Sequence, residues 1–278
     1  MSDPVRTLVA ARALQAARAR RRPVTPAALA QRIIPGYRIT PTVALISDAP
    51  AEAVNEPDRR VIITTPPRTG KSVQVSQTGP LYALMRNPDS KVILASYADT
   101  LAQEHSHAAR GLVGEHADLL GFGLRADKTA VGRWRVDGHD GGLLAAGILS
   151  GITGFGADLL LIDDPIKNAQ EADSPAHRRR VLYEFRSTLM TRLHPGASVV
   201  VIGTGDYCYG LLHPDQIGFN RPGPTGFRDQ PIGIDGLYLV TRDAMGDRGL
   251  RSFPATTRRA RPSRGREEQS SRADVRSN

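Results

Sequence analysis

Four short apolar runs set the first constraint on this chain: "RVIIT" (60–64), "KVILAS" (91–96), "DLLLID" (158–163) and "SVVVIGT" (198–204). Their apolar residues are consecutive, not alternating, which is the pattern of strands covered on both faces. Helical segments fall between them, at 72–86, 99–117 and 174–193. The last has Ser174 as cap, Pro175 at its first turn, one apolar stripe of Val181, Phe185 and Leu189, and Pro195-Gly196 to end it. Strand and helix in alternation predict an α/β domain, with a mostly parallel sheet and helices on both faces.

At 278 residues the chain can bury a full core. Its single cysteine, Cys208, excludes a disulfide framework and any cysteine-based zinc site, and fits a reducing compartment. No apolar run is long enough to cross a bilayer, and the opening "MSDPVRTLVAARALQAARARRR" lacks an apolar signal core. A cytoplasmic protein without a membrane partner is expected. The formal charge is +9, with only four lysines among 37 basic residues. GC-rich coding also produces such an arginine skew, but the surplus favours a polyanionic partner over an acidic or neutral one.

The composition divides the chain into three parts. Residues 1–40 read as a basic arm and helices; the stripe of Val5, Leu8, Val9 and Ala13 among arginines suits a solvated arm or one that binds DNA or a partner. "TPAALAQRII" predicts a helix with Thr25 as cap and Pro26 at its first position, and "TVALISDAPAEAV" another. Residues 41–204 hold the α/β domain. Residues 205–278 are rich in glycine, proline, arginine and serine, show no sustained period, and are expected to be irregular and largely disordered.

"VIITTPPRTGKSVQVSQ" (61–77) ends a strand in a proline-containing turn and then enters a helix. A phosphate-binding loop needs a strand, a tight loop whose amides face phosphate oxygens, and a helix whose positive end faces them too. Here Pro66, Pro67, Arg68 and Thr69 form the loop and Gly70 allows close approach. Lys71 would reach the phosphates of ATP, and Ser72 would bind Mg2+. The usual pattern opens with a glycine separated by four residues from the Gly-Lys-Ser, and Thr65 stands there, so alone the match also fits a chance turn.

"DLLLIDDP" is an apolar run ending in Asp163 and Asp164. At such a strand end the first acid can hold Mg2+ and the second can orient an attacking water. A buried strand whose acids cap the next turn is the plain alternative. Strand, loop, Gly-Lys-Ser and helix, followed later by this acid pair, together favour an ATPase. "GITGFGADLLLID" is not a dinucleotide fingerprint, because its glycines precede the strand; they read as a flexible loop at the sheet edge.

These segments resemble the large terminase subunit of tailed bacteriophages, the P-loop NTPase-type motor that packages viral DNA. "TTPPRTGKS" resembles the family's altered Walker A loop, and "LASYADTLAQEHS" the strand and helix that follow it. "SGITGFGADLLLIDDPIKNAQEADS" resembles the Walker B region, and "RSTLMTRLHPGASVVVIGT" the approach to the motif that couples hydrolysis to DNA movement. The resemblance implies phosphate binding by Pro67, Arg68, Thr69, Gly70, Lys71 and Ser72, and Mg2+ at Ser72 and Asp163. It implies a γ-phosphate role for Arg68, water activation at Asp164, and the start of the coupling motif at Thr204. Double-stranded DNA, a small terminase subunit, a portal protein and further copies of the chain are the implied partners, in the host cytoplasm.

The resemblance stops after Thr204, where "GDYCYG" replaces the expected Arg-Trp-His continuation. The family's RNase-H-like nuclease domain needs more chain than follows, so nuclease activity is not expected. Asp206, Asp215, Asp229 and Asp235 read as solvated loop acids. A truncated or frameshifted remnant that only binds DNA or a partner is one alternative; a helicase-like DNA-stimulated ATPase is another. His105, His107 and His116 share one predicted helix and read as polar surface. In "RWRV" (133–136), a strand with Trp134 in the core is favoured over DNA stacking. Arg178, Arg179 and Arg180 read as a solvated helix face, with phosphate contact or a role on a neighbour's ATP as alternatives.

Overall fold

The computed structural model describes residues 23–204 and the backbone of one further strand, Tyr238–Asp243. Two helices come first, α1 (Pro26–Ile33) and α2 (Pro41–Asn55). The first starts as its sequence predicts, with Thr25 accepting from the Ala28 amide and Pro26 in the first turn; the second starts one residue before the segment read as helical, with Thr40 accepting from the Val43 amide and Pro41 in the first turn. Then follow β1 (Arg59–Thr65), α3 (Thr78–Arg86), β2 (Lys91–Ser96), α4 (Asp99–Leu120), β3 (Leu124–Ala130), β4 (Arg133–Val136) and β5 (Gly142–Gly147). The remainder is β6 (Ala157–Asp163), α5 (Ala169–Asp173), α6 (Pro175–Glu184), β7 (Leu193–Thr204) and β8 (Tyr238–Asp243).

The strands form one sheet in the order β3-β4-β5-β2-β6-β7-β1-β8. The five central strands are parallel, and the antiparallel pairs lie at the two margins. Side chains alternate across the sheet. Val61, Ile63, Val92, Leu94, Leu161 and Val200 pack under α1 to α4, while Ile62, Ile93, Leu160, Ile162 and Val199 pack against Val181, Phe185 and Leu189 on the other face. Both faces are buried, as the continuous apolar runs require.

Several local features differ from the expectations. The helix read over 72–86 contains a π-helical turn, Val73–Gln77, before α3. The helix read over 174–193 is α-helical only to Glu184, continues as a π turn over Phe185–Leu189, and closes with a short 3-10 turn, Met190–Arg192. Pro195-Gly196 does not end that helix; it sits within β7, where the pairing with β6 shifts register between Leu193 and Ser198. The segment 148–156 is a loop leading into β6, with Gly151 and Gly154 left-handed and Ile152 and Phe155 buried. Trp134 is in the core, with its Nε1 donating to Ser106 at 3.0 Å.

β3, β5 and β8 lie outside the runs that read as strands in the sequence. β5, "GLLAAG", is glycine- and alanine-rich, with weak strand propensity. β8 lies inside the segment read as irregular, and pairs antiparallel with β1. The arm 1–22 and the acids Asp206, Asp215, Asp229 and Asp235 lie outside the described residues. Among the described residues no helix is long and apolar enough to cross a membrane.

Candidate functional site

Parallel strands share one carboxyl edge, and their register decides which residues meet there. Thr65 at the end of β1 lies opposite Thr204 at the end of β7, while Asp163 of β6 lies between Ser96 of β2 and Ile202 of β7. Segments far apart in the chain are thereby brought to one place.

The expected phosphate loop closes on itself at this edge. Thr69 donates to the Pro66 carbonyl at 3.0 Å, and the Thr65 and Thr69 hydroxyls are 2.8 Å apart. Thr65 is still a paired strand residue, so glycine's freedom is not needed at that position. It is needed later: Arg68 has φ 62° and Gly70 φ 85°. A Cβ on Gly70 would lie 3.3 Å from Val43 Cγ2 and 3.5 Å from the Tyr37 hydroxyl. Pro67 and Arg68 are exposed, Thr69 and Gly70 half-buried. From Lys71 the chain is helical, so the first amides of that turn lack intrahelical partners.

Lys71 is buried and its ammonium is shared. It donates to Thr204 Oγ1 at 2.7 Å and pairs with Asp164 Oδ1 at 3.2 Å. Asp164 also accepts from the Thr204 amide at 3.1 Å, while its own amide donates to Ile202 O at 2.9 Å. Its backbone is left-handed, φ 44°. Burial, then the adjacent Asp163, push the Asp164 carboxyl above its ordinary range; the opposing pull of Lys71 and of the hydrogen bonds is smaller.

Asp163 is fully buried. Its Oδ2 accepts from Ser76 at 2.5 Å and lies 3.2 Å from His105 Nε2, while its Oδ1 is buried without a partner. A buried carboxylate oxygen left without a hydrogen bond is costly. A cation would satisfy it, and a hard oxygen donor suits Mg2+, so the residues present fit that ion. The hydroxyl that reaches Asp163 is that of Ser76, inside the π turn, and Ser72 is half-buried one turn earlier.

Lys71, Asp163, Asp164 and Thr204 thus converge as expected, and Gly70 and Thr69 shape the loop beside them. His105 and Ser76 were not anticipated. The sequence places His105 on a polar helix surface, yet its side chain is 13% exposed. The signal available was its place beside the buried stripe of Ala102, Ser106, Ala109 and Val113 on α4. Of the other two histidines, His107 is exposed and His116 contacts the Ile33 carbonyl at 3.0 Å. Gln74, fully buried, donates to the Tyr37 hydroxyl at 2.7 Å and so ties the loop's helix to the segment between α1 and α2. A separate cavity of about 270 Å³, lined by Asn55, Glu56, Asp158 and Gly196, opens at the opposite sheet edge and holds none of these groups.

No curated protein matches the chain. The crystal structure of the HK97 bacteriophage large terminase is similar, with a TM-score of 0.46 and 16% identity, over 65% of this chain and 37% of that one. The chain therefore spans well under half the length of that terminase. The family model described as terminase large subunit, T4likevirus-type, N-terminal, matches residues 62–206, which is more than half of the 278 residues and includes Lys71, Asp163, Asp164 and Thr204. This chain belongs to the terminase large subunit family.

Proposed function

We propose that the chain hydrolyses ATP as the motor domain of a terminase large subunit, driving translocation of double-stranded viral DNA into a procapsid. The observation that carries the reading is the convergence of Lys71, Asp164 and Thr204 at one sheet edge, beside Asp163 with its buried, unpaired Oδ1.

In this reading the triphosphate takes the place of Asp164 and Thr204 on the Lys71 ammonium, and the loop amides from Thr69 to Ser72 receive the remaining phosphate oxygens. Asp163 and Ser72 would hold Mg2+, which would supply neutralisation of phosphate charge. Asp164, freed from Lys71, orients a water against the γ-phosphorus. The new P–O bond forms as the bond to the β-phosphate oxygen breaks, giving ADP and inorganic phosphate. The carboxylate is one methylene shorter than a glutamate, and Asp164 Oδ1 already lies 3.2 Å from the Lys71 ammonium. Arg68, exposed at the loop tip, steadies the γ-phosphate charge. Thr204 ends β7 at the site with its hydroxyl on the Lys71 ammonium, so loss of the phosphate is felt there.

A net charge of +9, and the exposed Arg179, Arg180 and Arg186 at α6 and its continuation, suit sequence-independent contact with duplex DNA that weakens steeply with salt. A small terminase subunit, a portal protein and further copies of the chain are the partners of this reading.

The test is nucleotide binding and phosphate release by the chain, with and without duplex DNA, beside Lys71→Ala. Removing one preorganised donor of this kind costs roughly 100-fold or more in turnover. Turnover surviving in Lys71→Ala would overturn the site assignment. Absence of turnover in both proteins, with DNA binding retained, would reduce the chain to a binding module.

A further inference from the structure

We propose that His105 is a positioning residue for Asp163, fixing the carboxylate so that Oδ1 is presented to the cation of bound ATP. This rests on the nucleotide reading above and adds a residue to it.

The argument begins with the two oxygens of Asp163. Oδ2 receives both available donors, the Ser76 hydroxyl at 2.5 Å and His105 Nε2 at 3.2 Å; Oδ1 receives none. An aspartate carboxylate turns easily about its last torsion, which exchanges the two oxygens. Donors from two different elements, the π turn and α4, both pinned to Oδ2, hold that torsion and keep Oδ1 facing away from them. Oriented acids of this kind are what a metal ligand needs.

The choice of histidine is chemically apt. Gln77 Nε2 lies 3.4 Å from His105 Nδ1; in the tautomer whose Nδ1 accepts from that amide, Nε2 carries the N–H and faces Asp163. A neutral N–H orients the carboxylate without discharging it. A lysine or arginine at the same place would form an ion pair and compete with the cation for that charge. The imidazole is also rigid and largely buried, so little rotamer freedom remains to blur the aim.

The experiment titrates Mg2+ against binding of a fluorescent ATP analogue to the full chain, repeats the binding in excess chelator, and follows thermal unfolding. His105→Ala is expected to raise the Mg2+ concentration at half-maximal binding by about 10- to 100-fold, the usual effect of losing such an outer partner. Metal-free binding is expected to stay unchanged. His105→Gln places an amide N–H at a similar reach and is expected to restore most of the Mg2+ response. Should His105→Ala fail to fold, Gln77→Leu removes only the tautomer partner and is expected to give a smaller shift of the same kind.

An unchanged Mg2+ midpoint in these variants overturns the inference while leaving the nucleotide site standing. So does an equal loss of binding with and without metal, or failure of the glutamine to rescue. Wild-type binding that ignores both Mg2+ and the Lys71→Ala substitution would remove the nucleotide reading and this inference together.

Discussion

At the amino ends of β2 and β6, Asp158 accepts from the Lys91 amide at 2.8 Å and from His194 Nδ1, at the start of β7, at 2.7 Å; the two side chains are 43% and 41% exposed. Nearby, Ser198 accepts from the Arg59 amide at 3.1 Å and donates to the Glu56 carbonyl at 3.2 Å. At the carboxyl ends of the same strands the pattern inverts. Asp163 is buried with one oxygen unpaired, and Thr64 Oγ1 and Ser96 Oγ are buried without partners as well. Polar groups at the first end tie strands and turns together. Those at the second end are dehydrated and left incomplete, which costs folding free energy unless something binds. One sheet thus has an edge whose polar groups tie the fold together and an edge where several buried polar groups lack partners.

Left-handed backbone occurs at both edges and gives the strongest way to break that division. Gly70 has φ 85° beside the site, and Gly196 has φ 82° at the other edge, where a Cβ would meet only Pro57 at 3.7 Å. Alanine at either position carries the left-handed penalty of about 1–2 kcal/mol. Gly70→Ala adds the 3.3 Å contact with Val43 and displaces the loop. Both variants are expected to lose a similar margin in chemical denaturation, Gly70→Ala somewhat more. Only Gly70→Ala is expected to lose nucleotide binding, by about tenfold for each 1.4 kcal/mol of loop distortion. Equal nucleotide binding in the two variants would mean that the loop at Gly70 is only a turn.

Acidity gives a second, smaller contrast. The Asp164 carboxyl is raised above its ordinary 3.8 by burial first and by Asp163 second, despite Lys71. A raised acid contributes stability that is full below its unfolded value and lost as pH rises through the folded one. Asp164→Asn cannot ionise. Its melting temperature should gain on the wild type's as pH climbs from below 3.8 toward neutrality, and on the proposed reading, in which Asp164 orients the water, turnover should fall. Parallel melting curves across that window would show that the acid's environment is no different from that of an exposed carboxylate.

Much of this edge was legible in the sequence because it depends on chain-local chemistry. Consecutive apolar residues foretold β1, β2, β6 and β7, and the two motifs at their ends foretold Lys71, Asp163 and Asp164. Even Thr65 in place of glycine caused no error, since the residue remains in the strand. What escaped was set by tertiary contact. Ser76 reaches Asp163 from within a π turn, whose extra residue per turn no helical period of 3.6 reveals. His105 belongs to the buried side of α4 only because α4 packs over β2 and β5. β5 and β8 were missed for a different reason: one is all glycine, alanine and leucine, and the other joins by pairing with β1. Strands such as these draw their order from the neighbours they pair with more than from their own propensity.

The smallest effect tests the other edge. The His194–Asp158 pair is short but half in water, and exposed pairs of this kind contribute about 0.2–1 kcal/mol. In His194→Ala the Lys91 amide still has Asp158 Oδ2 to donate to, so β2 keeps its anchor and only the tie to the start of β7 is lost. The expected result in denaturant is a midpoint shift worth less than about 1 kcal/mol with an unchanged slope, as for a local surface loss. Nucleotide binding should match the wild type's, because no part of the Lys71 to Asp164 cluster depends on this contact. A His194→Ala protein that melts normally yet binds nucleotide poorly would show that strain passes along β6 from one end to the other. In that case the two edges would be a single coupled unit, not separate provinces of one sheet.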